Sequence, residues 1–290
     1  MSATWTALER EYSPSSVVED LAALEAAYAS MSAAVRMQNR PVPYQFGEGE
    51  EEVLDLFVPP RDNRTGILHA FLHGGYWQAL SKDDASFPAK LFNERGDFYA
   101  AVNYTLAPRA TLEVIVEQCR KAVEWLHRNA GELGFDPDRI ILSGSSAGAH
   151  LAAMVALTDW AARGVVGDPL KGVVLLSGVY ELSPLVHTYI NDAVRLTPAS
   201  ALDLSPLLLL RNRRVTVPAV VAWGEHETAT FKRESKVMAA ALNLNGAGAS
   251  VLEVSGRNHF NIVHDLSDPS TELGRHVLEN ERKWTHGSIV

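Results

Sequence analysis

The chain has 290 residues, which is longer than a typical domain, although mixed α/β chains of this length commonly form one unit. Its 26 basic and 35 acidic side chains give a net charge of -9, which argues against nucleic acid or an anionic membrane as the main partner. A single cysteine, Cys119, excludes an intrachain disulfide, and its place on an apolar helical stripe favours a core residue over a nucleophile. Because the sequence shows neither a signal-peptide pattern nor an apolar run long enough to span a bilayer, we expect a cytoplasmic protein.

The first predicted element is a helix within an N-terminal arm over residues 1–40. Ser16 followed by Glu19 is a capping-box pattern that places the start of the helix there. Apolar side chains then recur at three- and four-residue steps, at Leu21, Leu24, Tyr28, Met31 and Val35. We expect this arm to pack over the body of the protein, in preference to a role at a substrate entrance or dimer contact, and a homodimer stays open.

Strand-like and helix-like segments then alternate along the chain. Strands are predicted over 42–46, 53–58, 68–72, 98–102, 140–142, 173–176, 217–223 and 251–254, the first two as a hairpin. Helices are predicted over 84–94, 112–129, 147–162, 231–244 and 270–284. This order predicts an α/β fold with a mostly parallel eight-stranded sheet flanked by helices, as a single domain over residues 1–290. The proline-containing stretch 178–214 is too long for an ordinary connection and predicts a small cap insertion over the site.

The run Gly144-Ser145-Ser146-Ala147-Gly148 directly follows the apolar segment 140–142 and precedes a helix-like one. In a G-x-S-x-G turn between a strand and a helix, the central serine sits in a sharp bend with its hydroxyl exposed at the edge of the sheet. The sequence context therefore predicts Ser146 as a catalytic nucleophile, whereas the pattern by itself would be weak evidence.

A serine hydroxyl needs a base to take its proton and an acid to orient that base. In α/β-hydrolases these follow in the order serine, acid, histidine. His259 lies just after the last predicted strand and is predicted as the base, with His264 as its rival. Glu227 follows the preceding strand at the usual spacing from its glycine and is predicted as the acid, with Glu225 as the alternative.

The run from His73 to Trp77 (H-G-G-Y-W) directly follows the third predicted strand. Glycines at this position let the backbone approach a substrate carbonyl, so the N–H groups of Gly74, Gly75 and Ala147 are predicted to form an oxyanion hole. His73 precedes the nucleophile and is expected to order the loop rather than act as base. No metal-ligand spacing or phosphate-binding loop occurs, so neither a metal nor a cofactor is expected.

These motifs resemble the kynurenine formamidase (arylformamidase) branch of the α/β-hydrolases. The similarity covers the H-G-G-Y-W run, the segment 103–108, the nucleophile turn with the start of its helix (145–153), the segment 177–182, the run 224–235 and the opening Tyr12-Ser13-Pro14-Ser15. The chain departs from the family pattern at Glu227, where the family usually has Asp, and at Ser145, where it commonly has His. The resemblance implies cofactor-independent hydrolysis of an N-formyl aromatic amine, N-formyl-kynurenine giving kynurenine and formate.

Aromatic side chains on loops at the same predicted sheet edge agree with a planar aryl substrate. Tyr76, Trp77, Tyr104 and Phe260 are predicted to bind it, and Tyr180 lies on a loop at the same edge. The expected partner is therefore a small-molecule aromatic amide or ester. A carboxylesterase for small aryl or short-acyl esters is the alternative, and a non-catalytic binding protein of the same fold is the third, less favoured one.

Overall fold

The computed structural model describes residues 6–286 of the chain. Its strands in this range are Val42–Gln45 (β1), Val53–Phe57 (β2), Leu68–Leu72 (β3), Phe98–Val102 (β4), Ile140–Ser145 (β5), Leu170–Leu176 (β6), Ala219–His226 (β7) and Ser250–Asn258 (β8). They form one sheet in the order β1-β2-β4-β3-β5-β6-β7-β8. The hairpin β1–β2 and the pair β2–β4 are antiparallel, and the remaining pairs are parallel. The predicted eight-stranded, mostly parallel sheet is confirmed.

Helices connect most of the parallel strands. The α-helices within residues 6–286 are Ala7–Glu11 (α1), Leu21–Gln38 (α2), Ala89–Glu94 (α3), Leu112–Leu133 (α4), Ala147–Ala156 (α5), Asn191–Val194 (α6), Pro198–Asp203 (α7), Pro206–Leu209 (α8), Ala229–Asn245 (α9) and Glu272–His286 (α10). None of the helices within residues 6–286 combines the length and the apolar character that crossing a membrane requires.

The sheet is buried on both faces, as the near-continuous apolar character of its central strands predicts. On β5, Ile140 and Leu142 pack into one apolar cluster while Ile141 packs into the other. The same alternation on β3 sends Leu72 to the first cluster and Phe71 to the second. Because successive side chains of a strand point to opposite faces, each strand contributes to both layers of helices.

The N-terminal helix begins later than the capping pattern at Ser16 predicts. Residues Pro14–Val17 form a 3-10 turn, and α2 begins after Asp20, whose side chain accepts a hydrogen bond from Ala23 N at 2.9 Å. Asp20 directly precedes the apolar-periodic segment, so its carboxylate satisfies the first free amides of the helix. The genuine capping box lies upstream, between Thr6 and Glu9, and starts the unpredicted helix α1.

The parallel strands β3 and β5–β8 all end at the same edge of the sheet. Their carboxyl ends carry the loop after His73, the Ser146 turn, Ser177, the segment to Glu227 and the loop at His259. In open α/β sheets this edge is where ligands bind.

A buried pair ties the C-terminal helix to the centre of the sheet. His69 on β3 lies with Nε2 against the Oε1 of Glu281 on α10, and both side chains are at most 2% exposed. The imidazole of His69 also stacks on the ring of Phe92, with centroids 3.9 Å apart. Removing one partner of a buried imidazole–carboxylate pair leaves the other without compensation.

We therefore expect Glu281→Leu to lower the free energy of unfolding by about 3–5 kcal/mol. Urea denaturation measures this loss. Glu279→Gln, on the exposed side of the same helix, is the matched control and should change stability by less than about 0.5 kcal/mol. A Glu281→Leu protein as stable as the control would contradict the structural role of the pair.

Candidate active site

Ser146 lies at the tip of a strained turn between β5 and α5. Its backbone has φ 56° and ψ -120°, a left-handed conformation that a residue with a side chain rarely adopts. A Cβ on Gly144 would overlap the carbonyl oxygen of Gly148, and a Cβ on Gly148 would overlap that of Leu72. The two glycines are therefore required for β5, α5 and β3 to approach one another around the serine.

His259 follows β8 immediately and pairs with Glu227. The distance from His259 Nδ1 to Glu227 Oε2 is 3.1 Å, and the two side chains are 5% and 1% exposed. The imidazole packs edge-on against Phe231 and Phe260, at centroid distances of 4.6 and 5.4 Å. Since a carboxylate accepts at Nδ1, that nitrogen carries the proton and Nε2 is left as the basic nitrogen. His259 and Ser146 line the same cavity.

The second oxygen of Glu227 is held by two donors. The hydroxyl of Ser177 donates to Oε1 at 2.6 Å, and the backbone N–H of Gly224 donates to the same atom at 2.5 Å. Ser177 directly follows β6 and has a positive φ of 51°. No sequence motif singles Ser177 out, although its place at the carboxyl end of a parallel strand is a signal that could have found it.

Glu225 and His264, the alternative acid and base, make other contacts. Glu225 accepts hydrogen bonds from Gly256 N and Ser255 Oγ at 2.8 and 2.9 Å, which lowers its pKa, and its side chain is 46% exposed. His264 packs edge-on against Tyr28, and burial lowers its pKa. Of the four candidates, the structure therefore brings Glu227 and His259 together.

The loop after β3 runs directly over the serine. A Cβ on Gly74 would lie 3.3 Å from the Cβ of Ser146 and 3.0 Å from the carbonyl oxygen of Ser145. Gly75 has a φ of 92°, and a Cβ there would overlap the carbonyl oxygen of Ala79. Ala147 is the first residue of α5, so its N–H has no acceptor within the helix. Gly74 and Gly75 line the same cavity as Ser146, and Ala147 directly follows the serine.

Tyr104 and Trp77 occupy positions that differ from the predicted ones. Both are fully buried and neither lines the cavity. The hydroxyl of Tyr104 donates to the carbonyl oxygens of His73 and Gly74 at 2.8 and 3.2 Å, while Trp77 packs edge-on against His150. Their predicted substrate contact is corrected to support of the loop, because a loop crowded over the serine needs large side chains beneath it. Tyr180 is likewise fully buried and outside the lining.

The cavity above Ser146 has a volume of about 310 Å³. Tyr76 and Phe260 line it, together with Tyr28, Phe71, Phe87 and Tyr189, and their contact with a substrate stays a prediction. One wall comes from the N-terminal arm, through Pro14, Ser15, Leu21, Glu25 and Tyr28, while the predicted cap segment contributes Tyr189. The volume and the aromatic lining suit a small planar ligand.

The mostly parallel sheet with a strained G-x-S-x-G turn between a central strand and helix is that of an α/β-hydrolase. A family model, BD-FAE, matches residues 54–172. Among solved structures, a hyperthermophilic esterase from Pyrobaculum calidifontis shares the fold with a TM-score of 0.72 and 22% identity, covering 93% of this chain and 95% of its own. A thermostable carboxylesterase cloned from a metagenomic library gives 0.71 and 23%, over 93% and 95% of the two chains.

Two kynurenine formamidases show to which family of α/β-hydrolases the chain belongs. Kynurenine formamidase from Danio rerio is 34% identical over 284 residues, covering 94% of each chain. The protein of the same name from Salmo salar is 33% identical over 94% of this chain and 95% of its own. The chain therefore belongs to the kynurenine formamidase family and is a hydrolase, as the resemblance of its motifs indicates. A methylesterase relative from rice, described as a probable isoprenylcysteine alpha-carbonyl methylesterase, is more distant, at 29% over 77% of this chain and 57% of its own.

Because Glu227 contacts His259 and Glu225 does not, we expect removal of the Glu227 charge to lower kcat far more than removal of the Glu225 charge. Glu227→Gln should lower kcat by about 10⁴-fold, because an amide no longer fixes the imidazole tautomer or stabilises its protonated form. Glu225→Gln is the matched control and should stay within about twofold of the unmodified enzyme. Steady-state kinetics on a chromogenic ester measures both, and equal losses in the two variants would contradict the assignment.

Ser177 is expected to act as a positioning residue through Glu227. Ser177→Gly removes the hydroxyl but relieves the positive φ, so folding should be preserved while kcat falls about tenfold. Because the hydroxyl orients the carboxylate that holds the imidazole, the loss should fall on kcat while KM stays within about twofold. Steady-state kinetics together with thermal unfolding tests this. A stable variant with an unchanged kcat would show that Ser177 has no effect on Glu227.

Proposed function

We propose that the protein is an arylformamidase that hydrolyses N-formyl-kynurenine to kynurenine and formate with Ser146, His259 and Glu227 as its catalytic residues. The observation that carries the proposal is the aromatic cavity of about 310 Å³ that opens directly onto Ser146. It suits a planar aryl group beside a very small acyl group, and the formamidase relatives match nearly the whole chain. The cytoplasmic location stays a prediction, and a homodimer stays open.

In the first half of the proposed reaction, Ser146 Oγ attacks the formyl carbonyl carbon while His259 Nε2 takes its proton. Glu227 holds the imidazole by its Nδ1 and stabilises the imidazolium that forms. The carbonyl oxygen becomes an oxyanion that accepts hydrogen bonds from the N–H groups of Gly74, Gly75 and Ala147. The C–N bond then breaks, His259 returns its proton to the leaving aryl amine, and a formyl ester of Ser146 remains.

In the second half, His259 takes a proton from a water molecule that attacks the formyl ester. The tetrahedral intermediate uses the same oxyanion donors. When it collapses, His259 protonates Ser146 Oγ and formate leaves. The space between Gly74 and Ser146 is narrow, since a Cβ on Gly74 would lie 3.3 Å from the serine Cβ, and this favours an acyl group as small as formyl.

A carboxylesterase acting on short-acyl aryl esters is the second candidate. It is favoured by the esterase relatives and by the same small acyl space, which an acetyl ester shares in part. The ratio of kcat/KM for N-formyl-kynurenine to that for p-nitrophenyl acetate separates the two. We expect the formamide to be preferred, and a strong preference for the ester would reject the formamidase proposal.

Ser146→Ala should abolish labelling by an organophosphonate and lower kcat by about 10⁶-fold, since the nucleophile is lost. Ser145→Ala is the matched control, because Ser145 lines the same cavity one position earlier in the same turn. It should keep its labelling. Mass spectrometry of the intact protein measures both, and a labelled Ser146→Ala protein would overturn the choice of nucleophile.

A further inference from the structure

Within residues 6–286, the cavity lining carries acidic side chains and no permanently basic ones. Among the described residues that line it, two carry carboxylates, Glu25 and Asp84, and none is Lys or Arg. The lining histidines do not supply a permanent cation. His259 is engaged by Glu227, and burial lowers the pKa of His73 to about 4, so its imidazole is neutral near pH 7. The described lining of the cavity therefore presents negative charge, and no permanent positive charge, to a ligand.

Glu25 lies on the wall that α2 contributes. Leu21, Glu25 and Tyr28 are spaced four and three residues apart, so they share one face of the helix, and all three line the cavity. No Lys, Arg or His within residues 6–286 forms an ion pair with Glu25. Asp84 differs, because its Oδ2 accepts hydrogen bonds from the N–H and hydroxyl of Ser81 at 3.0 and 3.1 Å. Glu25 is thus the carboxylate of the lining that is free to pair with a ligand.

A second observation also points to a ligand that donates hydrogen bonds. The Nδ1 of His73 lies 3.0 Å from the carbonyl oxygen of Gly74, so Nδ1 donates and Nε2 is an acceptor. Within residues 6–286 that Nε2 has no hydrogen-bond partner, and it is buried in a side chain that lines the cavity. Meanwhile, two tyrosine hydroxyls of the lining are already used as donors, Tyr28 to Phe260 O and Tyr76 to Tyr12 O.

Aromatic rings line the same cavity. Tyr28 and Phe87 stack with ring centroids 6.3 Å apart, and both line the cavity with Phe260. Such a surface holds an aryl group and also tolerates an ammonium group, which is attracted to ring faces. A carboxylate placed beside Glu25 or Asp84 would have no Lys or Arg of the described lining to pair with.

We propose that Glu25 is a specificity-determining residue that selects aryl formamides whose side chain ends in a protonated amine over those whose side chain ends in a carboxylate. The proposal rests on the proposed formamidase function. For a substrate with an amino-acid side chain, the ammonium group faces Glu25 and the carboxylate faces solvent at the open end of the cavity. A substrate with the amine alone therefore loses nothing in this site by lacking the carboxylate.

The test is a series of formanilides that differ in the end of the ortho side chain: a free amine, an amino acid, an N-acetylated amine and a carboxylate alone. We expect kcat/KM to fall in that order at low ionic strength. Glu25 is solvent-exposed, so each charge effect should be about two- to fivefold, giving about tenfold between the amine and the carboxylate. The differences should lie mainly in KM and shrink in about 0.5 M salt as surface charges are screened.

Two variants assign the effect to Glu25. Glu25→Gln should bring the amine-to-carboxylate ratio towards one, and Glu25→Lys should invert it. Glu19→Gln removes the same charge from an exposed residue outside the lining and should leave the ratio unchanged. A ratio that is the same in all four proteins, or one that changes equally in Glu19→Gln, would overturn the proposal.

The same charge series is also prepared as aryl acetates. If the formamides are not hydrolysed but the esters are, the proposed function fails while the ester ratios still report on Glu25. A Glu25-dependent preference for the amine among the esters supports the selection by charge, and its absence overturns it.

Discussion

Helix α5 begins so close to the end of β3 that Gly148 rests against the carbonyl oxygen of Leu72, and Gly74 rests against Ser146 from the other side. These close approaches need glycine at both positions and leave the serine in a conformation that is costly for a residue with a side chain. The strained turn brings the serine, the start of α5 and the loop after β3 close together. His259 and the loop after β3 line the same cavity as the serine.

The proposed acid, Glu227, is a glutamate, which has one more methylene group than the usual aspartate and therefore one more torsion to fix. The structure fixes it through Oε1, which accepts from Ser177 and from the N–H of Gly224. Gly224 also lets the end of β8 approach, since a Cβ there would lie 2.5 Å from the carbonyl oxygen of Arg257. His259, two residues after Arg257, is thereby brought to the free oxygen of Glu227. The longer side chain is accommodated because its surroundings hold it rigidly.

The mostly parallel eight-stranded sheet and the pairing of Glu227 with His259 could be expected from the sequence. They follow from the alternation of strands and helices and from the positions of the two residues after strand ends. The burial of Trp77 and Tyr104 could not be expected, since a loop position gives no information about which way a side chain turns. Ser177 was missed because a serine after a strand has no distinctive pattern. The wall formed by the N-terminal arm was also missed, because its contacts join residues more than 200 positions apart, as between Tyr28 and Phe260.

That arm is bonded to the three loops that lie beside the proposed base, the proposed acid and the glycines after β3. The hydroxyl of Tyr28 donates to the carbonyl oxygen of Phe260, beside His259, at 2.5 Å. Thr228, beside Glu227, donates to the carbonyl oxygen of Glu11 at 2.7 Å, and Tyr76, beside Gly75, donates to that of Tyr12 at 2.5 Å. Three loops that are distant in sequence thus share one partner, and the helix that carries Glu25 is part of it. The segment that carries Glu25 into the cavity lining is therefore the same one that holds the loops of the proposed base, acid and oxyanion donors.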